Sequence, residues 1–210
     1  ALAVMDYARH RWGKETVEEM GLGYAPKGTQ QLIDFIKKTG LSMELCKEAG
    51  LIAVDEESGR EYAFFRDRLM IPVRDRWGSV INYTARTLSD DKDVAKYLNG
   101  RDSLLFHKSE VLFGLNTAMN IGAREELFYI VEGGPDVIKM QEIGALNTVA
   151  PLGTALTKEH LQLLKRFHPK LCFIPDADGP GIAAVMKNGR TAMEEGFRVT
   201  VKEIPPLEND

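Results

Sequence analysis

A chain of 210 residues with 44% hydrophobic and 28% charged residues has the size for one or two compact cores and the composition of an ordinary soluble globular protein. A net charge of −4 excludes a surface coated in cations but leaves room for a local basic patch, which is all that phosphate contact requires. No apolar run approaches the roughly 18 residues of a membrane span, and the opening Ala1-Leu2-Ala3-Val4-Met5-Asp6 lacks a signal peptide's basic-then-apolar layout, so a cytoplasmic protein without a membrane partner is expected.

Leu2, Met5 and Ala8 suit one helical face, and residues 16–20 begin a second short helix. Gly21-Leu22-Gly23-Tyr24-Ala25-Pro26 reads as a turn. Leu32, Ile33, Phe35 and Ile36 then recur at helical spacing with Gly40 as the stop, and Ser42 caps a helix over 43–49 that Gly50 closes. From Glu61 the period shortens. Leu69-Met70-Ile71-Pro72-Val73 and Val80-Ile81-Asn82-Tyr83-Thr84 read as strands joined by a hairpin turn at Asp75-Arg76-Trp77-Gly78, and Pro72 points to an edge or a bulge. Asn99-Gly100-Arg101-Asp102 reads as a loop and residues 115–121 as a short helix. A boundary near 122–126 separates a mixed α/β domain over 1–123 from a second domain over 124–210.

The second domain is more regular. Leu127-Phe128-Tyr129-Ile130-Val131 is a continuous apolar run, as for a strand covered on both faces. Helices are expected over 136–143, 157–167 and 181–195, alternating with strands over 145–149, 171–174 and 197–203. Such alternation predicts an α/β fold with a small parallel sheet. Cys46 and Cys172 show no metal-ligand spacing, so neither a zinc site nor a disulfide framework is expected, and Cys172 reads as a small core residue. The chain has no initiator Met and stops at Pro205-Pro206-Leu207-Glu208-Asn209-Asp210, in what reads as a loop; it is expected to be a piece of a longer protein.

In a parallel sheet, ligands collect where strands end, and two acidic motifs fall there. The first strand runs into Glu132-Gly133-Gly134-Pro135-Asp136 and the third into Asp176-Ala177-Asp178-Gly179-Pro180-Gly181. Magnesium takes oxygen ligands and keeps several waters, so a few carboxylates suffice to hold it. Gly133, Gly134, Gly179 and Gly181 leave room for a phosphate beside the backbone. Each acid alone could serve a bland purpose, Asp136 as a helix N-cap and Asp178-Gly179 as a turn. The pairing of the two motifs on different strands of one predicted sheet favours a divalent-metal site for phosphoryl transfer on nucleic acid.

These motifs resemble the Toprim domain shared by bacterial primases, topoisomerases, some nucleases and recombination proteins. Upstream, Phe65-Arg66-Asp67-Arg68-Leu69-Met70-Ile71-Pro72-Val73-Arg74-Asp75, Lys96-Tyr97-Leu98-Asn99, Phe106-His107-Lys108 and Leu152-Gly153-Thr154-Ala155-Leu156-Thr157 are similar to segments of DnaG-type primases, in order and spacing. The resemblance implies the RNA polymerase core of that family, with a basic cleft beside a Toprim sheet, making short RNA primers from NTPs on a single-stranded DNA template with magnesium or manganese. It implies Glu132 as the central catalytic carboxylate and Asp176 and Asp178 as catalytic metal ligands alongside it. It further implies Arg66, Arg68, Arg86, Lys96, Tyr97, Lys108, Gly133, Asp136, Gly153 and Thr154 as residues meeting nucleotide or template, and a replicative helicase as partner through regions absent from this chain. Gly134-Pro135, Thr84-Ala85 and Pro175 depart from the family pattern and point to a divergent member, bacterial or encoded by a phage or other mobile element. A later acidic pair expected after Glu203 has only Glu208 and Asp210 to fill it. The rival readings are a Toprim nuclease or topoisomerase and a non-catalytic single-strand-binding module.

Without the resemblance, the cations read equally well as a solvated strand face, because Asp67, Asp75 and Asp93 alternate with them. His107, His160 and His168 have no ligand spacing and are expected to be non-catalytic, His160 lying on a polar helix. Thr157 suits either a phosphate contact or a helix cap.

Overall fold

The structure, a computed structural model, describes residues 1–167, 169–175 and 179–202. Contacts divide the chain into two compact units, residues 1–73 with 80–107, and residues 74–79 with 108 onward.

The first unit runs α1 (Leu2–Trp12), α2 (Lys14–Met20), β1 (Gly23–Ala25), α3 (Gln30–Thr39), α4 (Met43–Glu48), β2 (Ile52–Val54), β3 (Glu61–Ala63), β4 (Arg68–Arg74), β5 (Val80–Arg86) and β6 (Tyr97–Asn99). Ala8 and Trp12, one turn apart on α1, are fully buried. The Ser42 hydroxyl accepts from the Leu45 amide at 3.3 Å, the N-cap that its position predicts. Ile36, Cys46 and Ile52 then close a small apolar cluster over α3, α4 and β2.

A four-stranded sheet in the order β1-β4-β5-β6 forms the body of this unit, beside a two-stranded ribbon, β2-β3. Three of its features were not expected. Gly23, Tyr24 and Ala25 are a strand, not a turn, paired antiparallel with Arg68 to Met70. Tyr97 to Asn99, of which Asn99 was taken for loop, pairs antiparallel with Thr84 to Arg86. The β2-β3 ribbon turns on Asp55, whose carboxylate accepts from the Ser58 hydroxyl at 2.6 Å and its amide at 2.9 Å, bonds that hold Asp55 below the usual carboxylate range. Strands of three residues are too short to display a period of two. Pro72 sits in a strand flanked on both sides, but β1 pairs only as far as Met70, so the missing N–H falls where that pairing has ended.

The second unit alternates: α5 (Leu115–Glu125), β7 (Leu127–Ile130), α6 (Gly134–Glu142), β8 (Thr148–Val149), α7 (Lys158–Lys165), β9 (Lys170–Phe173), α8 (Gly179–Glu194) and β10 (Arg198–Val201). Its strands are all parallel, in the order β10-β9-β7-β8. Phe128, Ile130, Val149, Leu161, Leu164, Leu171 and Phe173 are among the buried side chains of one core. On β7 only Phe128 and Ile130 are buried while Leu127 and Tyr129 are half-buried, so one face is sealed and the other only partly. Both cysteines are free and buried, Cys172 within β9.

His160 corrects its sequence reading. Its helix carries an apolar face, and the imidazole is fully buried. The Thr157 amide donates to Nδ1 at 3.2 Å, and the Thr157 hydroxyl accepts from the His160 amide at 3.1 Å and donates to the Ser109 carbonyl at 2.6 Å. Because Nδ1 is an acceptor, the proton of the neutral ring belongs on Nε2, 2.9 Å from the Lys108 carbonyl. Burial pushes the imidazole pKa down. Below about pH 6.5 the unfolded chain therefore takes up a proton that the folded chain refuses, and stability present above that pH is lost as pH falls toward the depressed folded value. Melting curves at pH 7.5 and 5.5 are expected to show a lower melting temperature at the acidic pH, and a smaller difference in His160→Gln.

Candidate active site

β7 ends at Ile130, and the Val131 amide donates to the Val149 carbonyl at 3.1 Å, carrying the pairing one residue further. Glu132 follows, exposed, with extended Gly133 (φ −150°) as the N-cap of α6. The carboxylate thus stands on a two-residue joint between a central strand and a helix. Asp136, whose bland reading was the helix cap, lies in the first turn instead, because Pro135, with its fixed φ and missing N–H, draws the helix start forward to Gly134. The Asp136 carboxylate folds back toward Gly133, where a Cβ would lie 3.5 Å from Oδ2.

The joint is well placed. From β7 the chain passes to β8 on one side and then returns to β9 on the other, so strand order reverses between β7 and β9. Ligands of open α/β sheets bind at such a switch point, beyond the carboxyl ends of the strands. Ile130 pairs with Phe173, and the Ile174 amide donates to the Ile130 carbonyl at 2.9 Å, so both chains leave the sheet side by side. Asp176 and Asp178 come next in the chain but lie outside the described residues, as do His168, Glu203, Glu208 and Asp210. Among the described residues no group of three metal-ligating side chains forms. Glu132 and Asp136 offer hard oxygen donors of the kind that magnesium takes, a partial set whose fit is chemical.

Gly153 (φ +67°) and Thr154, both exposed, lie on the loop after β8, on the other flank of β7. That loop is held at its far end, where the Leu156 amide donates to Asn188 Oδ1 of α8 at 3.2 Å. Lys108 is half-buried, and its carbonyl is the acceptor for His160. Thr157 caps α7, the structural of its two readings. Gly134, one of the departures from the family pattern, is buried with the Phe113 ring 3.3 Å from where a Cβ would stand, so a bulky residue has no room there unless Phe113 moves.

The remaining candidates belong to the first unit. Arg86, at the end of β5, places its guanidinium 4.6 Å over the Tyr7 ring and 5.7 Å over the Tyr97 ring; its Nε is buried without a hydrogen-bond partner among the described residues. Lys96 is exposed next to Tyr97, and its carbonyl accepts from the Thr87 amide at 3.0 Å, so Arg86, Lys96 and Tyr97 come together along β5 and β6. Arg66 is exposed and stacked at 4.9 Å over Tyr62. Arg68 differs: it is buried, donates to the Ala95 carbonyl at 2.8 Å, and has its pKa lowered by that burial, which makes it a brace for the segment leading into β6. Between these two arginines Asp67 holds a left-handed backbone (φ 52°) and accepts from the Tyr24 hydroxyl at 2.6 Å, a bond that pushes the Tyr24 phenol up. Tyr7 was missed by sequence reasoning because nothing local links a residue of α1 to the end of β5.

Residues 2–119 match the family model of the DNA primase catalytic core, N-terminal domain. The chain belongs to the DNA primase catalytic-core family. Residues 129–210 match a Toprim-like model, so both halves of the expected resemblance hold. The DNA primase of Deinococcus radiodurans is 39% identical over 204 residues, covering 96% of this chain and 35% of the relative. That of Pseudomonas putida is 36% identical over 211 residues, covering 99% and 32%. The chain therefore spans about a third of the length of these curated primases. A DNA primase domain from Pseudomonas aeruginosa superimposes with a TM-score of 0.88 at 34% identity, over 99% of this chain and 65% of that one. A DnaG primase catalytic domain solved bound to ssDNA gives 0.80 at 31% identity, over 98% and 66%. The α/β fold class expected from the alternation is that of these primase cores.

Proposed function

We propose that this chain carries the primer-synthesising centre of a primase: template-directed joining of NTPs into short RNA on single-stranded DNA, in a cytoplasmic setting with a replicative helicase as partner. The observation that carries the reading is Glu132 at the strand-to-helix joint of the sheet's switch point, in a chain of the primase family. A solved relative bound to ssDNA supports the template part. In this reading the Toprim-like half from about residue 124 is the catalytic domain, and residues 1–123 meet template and nucleotide.

Glu132, Asp176 and Asp178 would hold magnesium or manganese, with Asp136 beside them. When bound, such an ion eases ionisation of an attacking hydroxyl and neutralises charge on a triphosphate. The chain's own side chains do the positioning. Arg86, Lys96 and Lys108 grip phosphate oxygens, and Tyr97 offers a ring face to a base. Gly133 and Gly153 let phosphate approach the backbone, and the Thr154 hydroxyl donates to it. Alignment of the reacting groups by such contacts accounts for much of the acceleration in phosphoryl transfer.

Incorporation of labelled NTPs on single-stranded DNA, with and without magnesium, tests the reading. RNA oligomers that require both template and magnesium are expected. No incorporation, together with relaxation of supercoiled plasmid, would move the chain to the topoisomerase branch of the Toprim group.

A further inference from the structure

We propose that Tyr7 is a positioning residue for phosphate binding: its ring face fixes the Arg86 guanidinium so that its outer N–H groups meet a phosphate of the template strand or the incoming nucleotide. The inference rests on the primase reading of Arg86. Tyr7 is half-buried on α1 and is itself anchored, since its ring meets that of fully buried Trp12 edge-on, with centroids 6.4 Å apart. Arg11 Nη1 donates to the Tyr7 hydroxyl at 3.4 Å. A buried core residue thereby sets the Tyr7 ring, and the ring sets a cation 4.6 Å away, with Tyr97 5.7 Å from the same guanidinium.

The arginine's own chemistry supports this assignment. A guanidinium recruited for stability would bring its donors to acceptors, and a buried donor left without one is unfavourable. Among the described residues, Arg86 Nε is buried with no acceptor. The contacts that hold the guanidinium are instead those with the two rings, Tyr7 and Tyr97. In-plane N–H groups remain the ones suited to paired phosphate oxygens.

The test compares Arg86→Ala, Tyr7→Leu, Tyr7→Phe and the double variant Tyr7→Leu/Arg86→Ala in oligothymidine binding across a salt series, and in ATP binding by calorimetry. Arg86→Ala is expected to weaken oligothymidine binding and lower the salt slope by about 0.7, the contribution of one phosphate on a single strand. Tyr7→Leu should weaken it roughly five- to tenfold, within the range of a partly desolvated cation–π contact, and should lower the slope as well. A packing defect in α1 would not move the slope. Tyr7→Phe keeps the ring face and should bind like wild type, and the double variant should bind no worse than Arg86→Ala alone. A loss seen with oligothymidine only assigns the phosphate to the template; one seen with ATP only assigns it to the nucleotide. If Arg86→Ala changes neither ligand, the reading of Arg86 falls and this inference with it. If Arg86→Ala weakens binding while Tyr7→Leu does not, if the two losses add, or if Tyr7→Phe loses as much as Arg86→Ala, the inference about Tyr7 alone falls.

Discussion

Glu132→Gln is expected to lose primer synthesis by roughly a thousandfold or more, at unchanged stability. The several kcal/mol that a bound metal supplies to charge development convert at about 1.36 kcal/mol per decade of rate, and an amide of the same shape gives up the negative charge that, in the proposed function, would hold the ion. Glu132 is exposed at the end of its strand, so exchanging it leaves the core of the second unit intact. A surface change of this kind moves stability by about 0.5 kcal/mol or less. Single-turnover incorporation and thermal melts on the same sample separate the two effects. Near-wild-type incorporation in this variant would remove the metal mechanism, whatever the fold.

Gly122→Ala is expected to destabilise the second unit by about 1–3 kcal/mol, the usual range for overpacking a core, or roughly 4–8 °C in melting temperature for about 2 kcal/mol in a chain of this size. Propensity argues the other way, since Ala gains about 1 kcal/mol over Gly inside a helix, and Gly122 lies within α5. The steric term wins. A Cβ at Gly122 would overlap the ring of Phe128, which is fully buried, 5.9 Å from the Phe167 ring, in a core shared with Leu161 and Leu171. A second change, Phe128→Leu in the Gly122→Ala background, should restore part of the loss by removing the overlap. A higher melting temperature in Gly122→Ala would show that the helix approaches β7 less closely than this.

The architecture of the second unit was legible because each of its longer elements carries enough residues to show its period, while Thr157, open between a phosphate contact and a cap, was settled as the cap only by its bond to the His160 amide. Glu132 was legible for the same reason: an apolar run followed by an acid and two glycines marks where a strand ends. That β7 and β9 are neighbours is a property of the sheet, and only the parallel alternation hinted at it. The short strands β1, β2, β3 and β6 were illegible or half legible, since three residues hold no pattern. His160 looked like one more polar residue on a helix because the acceptor at its Nε2, the Lys108 carbonyl, is remote in sequence. Arg68 looked like its neighbour Arg66, yet one side chain points to a carbonyl and the other stacks on an exposed face. Nothing in a run of basic residues tells which of them is braced.

The position of β7 has a consequence for how the molecule comes to be. Tyr129 and Ile130 need Thr148 and Val149 on one flank and Cys172 and Phe173 on the other. On a growing chain, β7 emerges first and waits for two partners, the second of them far downstream, and pairings of that range form slowly. The flank of the Glu132 joint that faces β9 is thus completed only after β9 has left the ribosome, so a nascent chain halted before that strand would own the acid with half its setting.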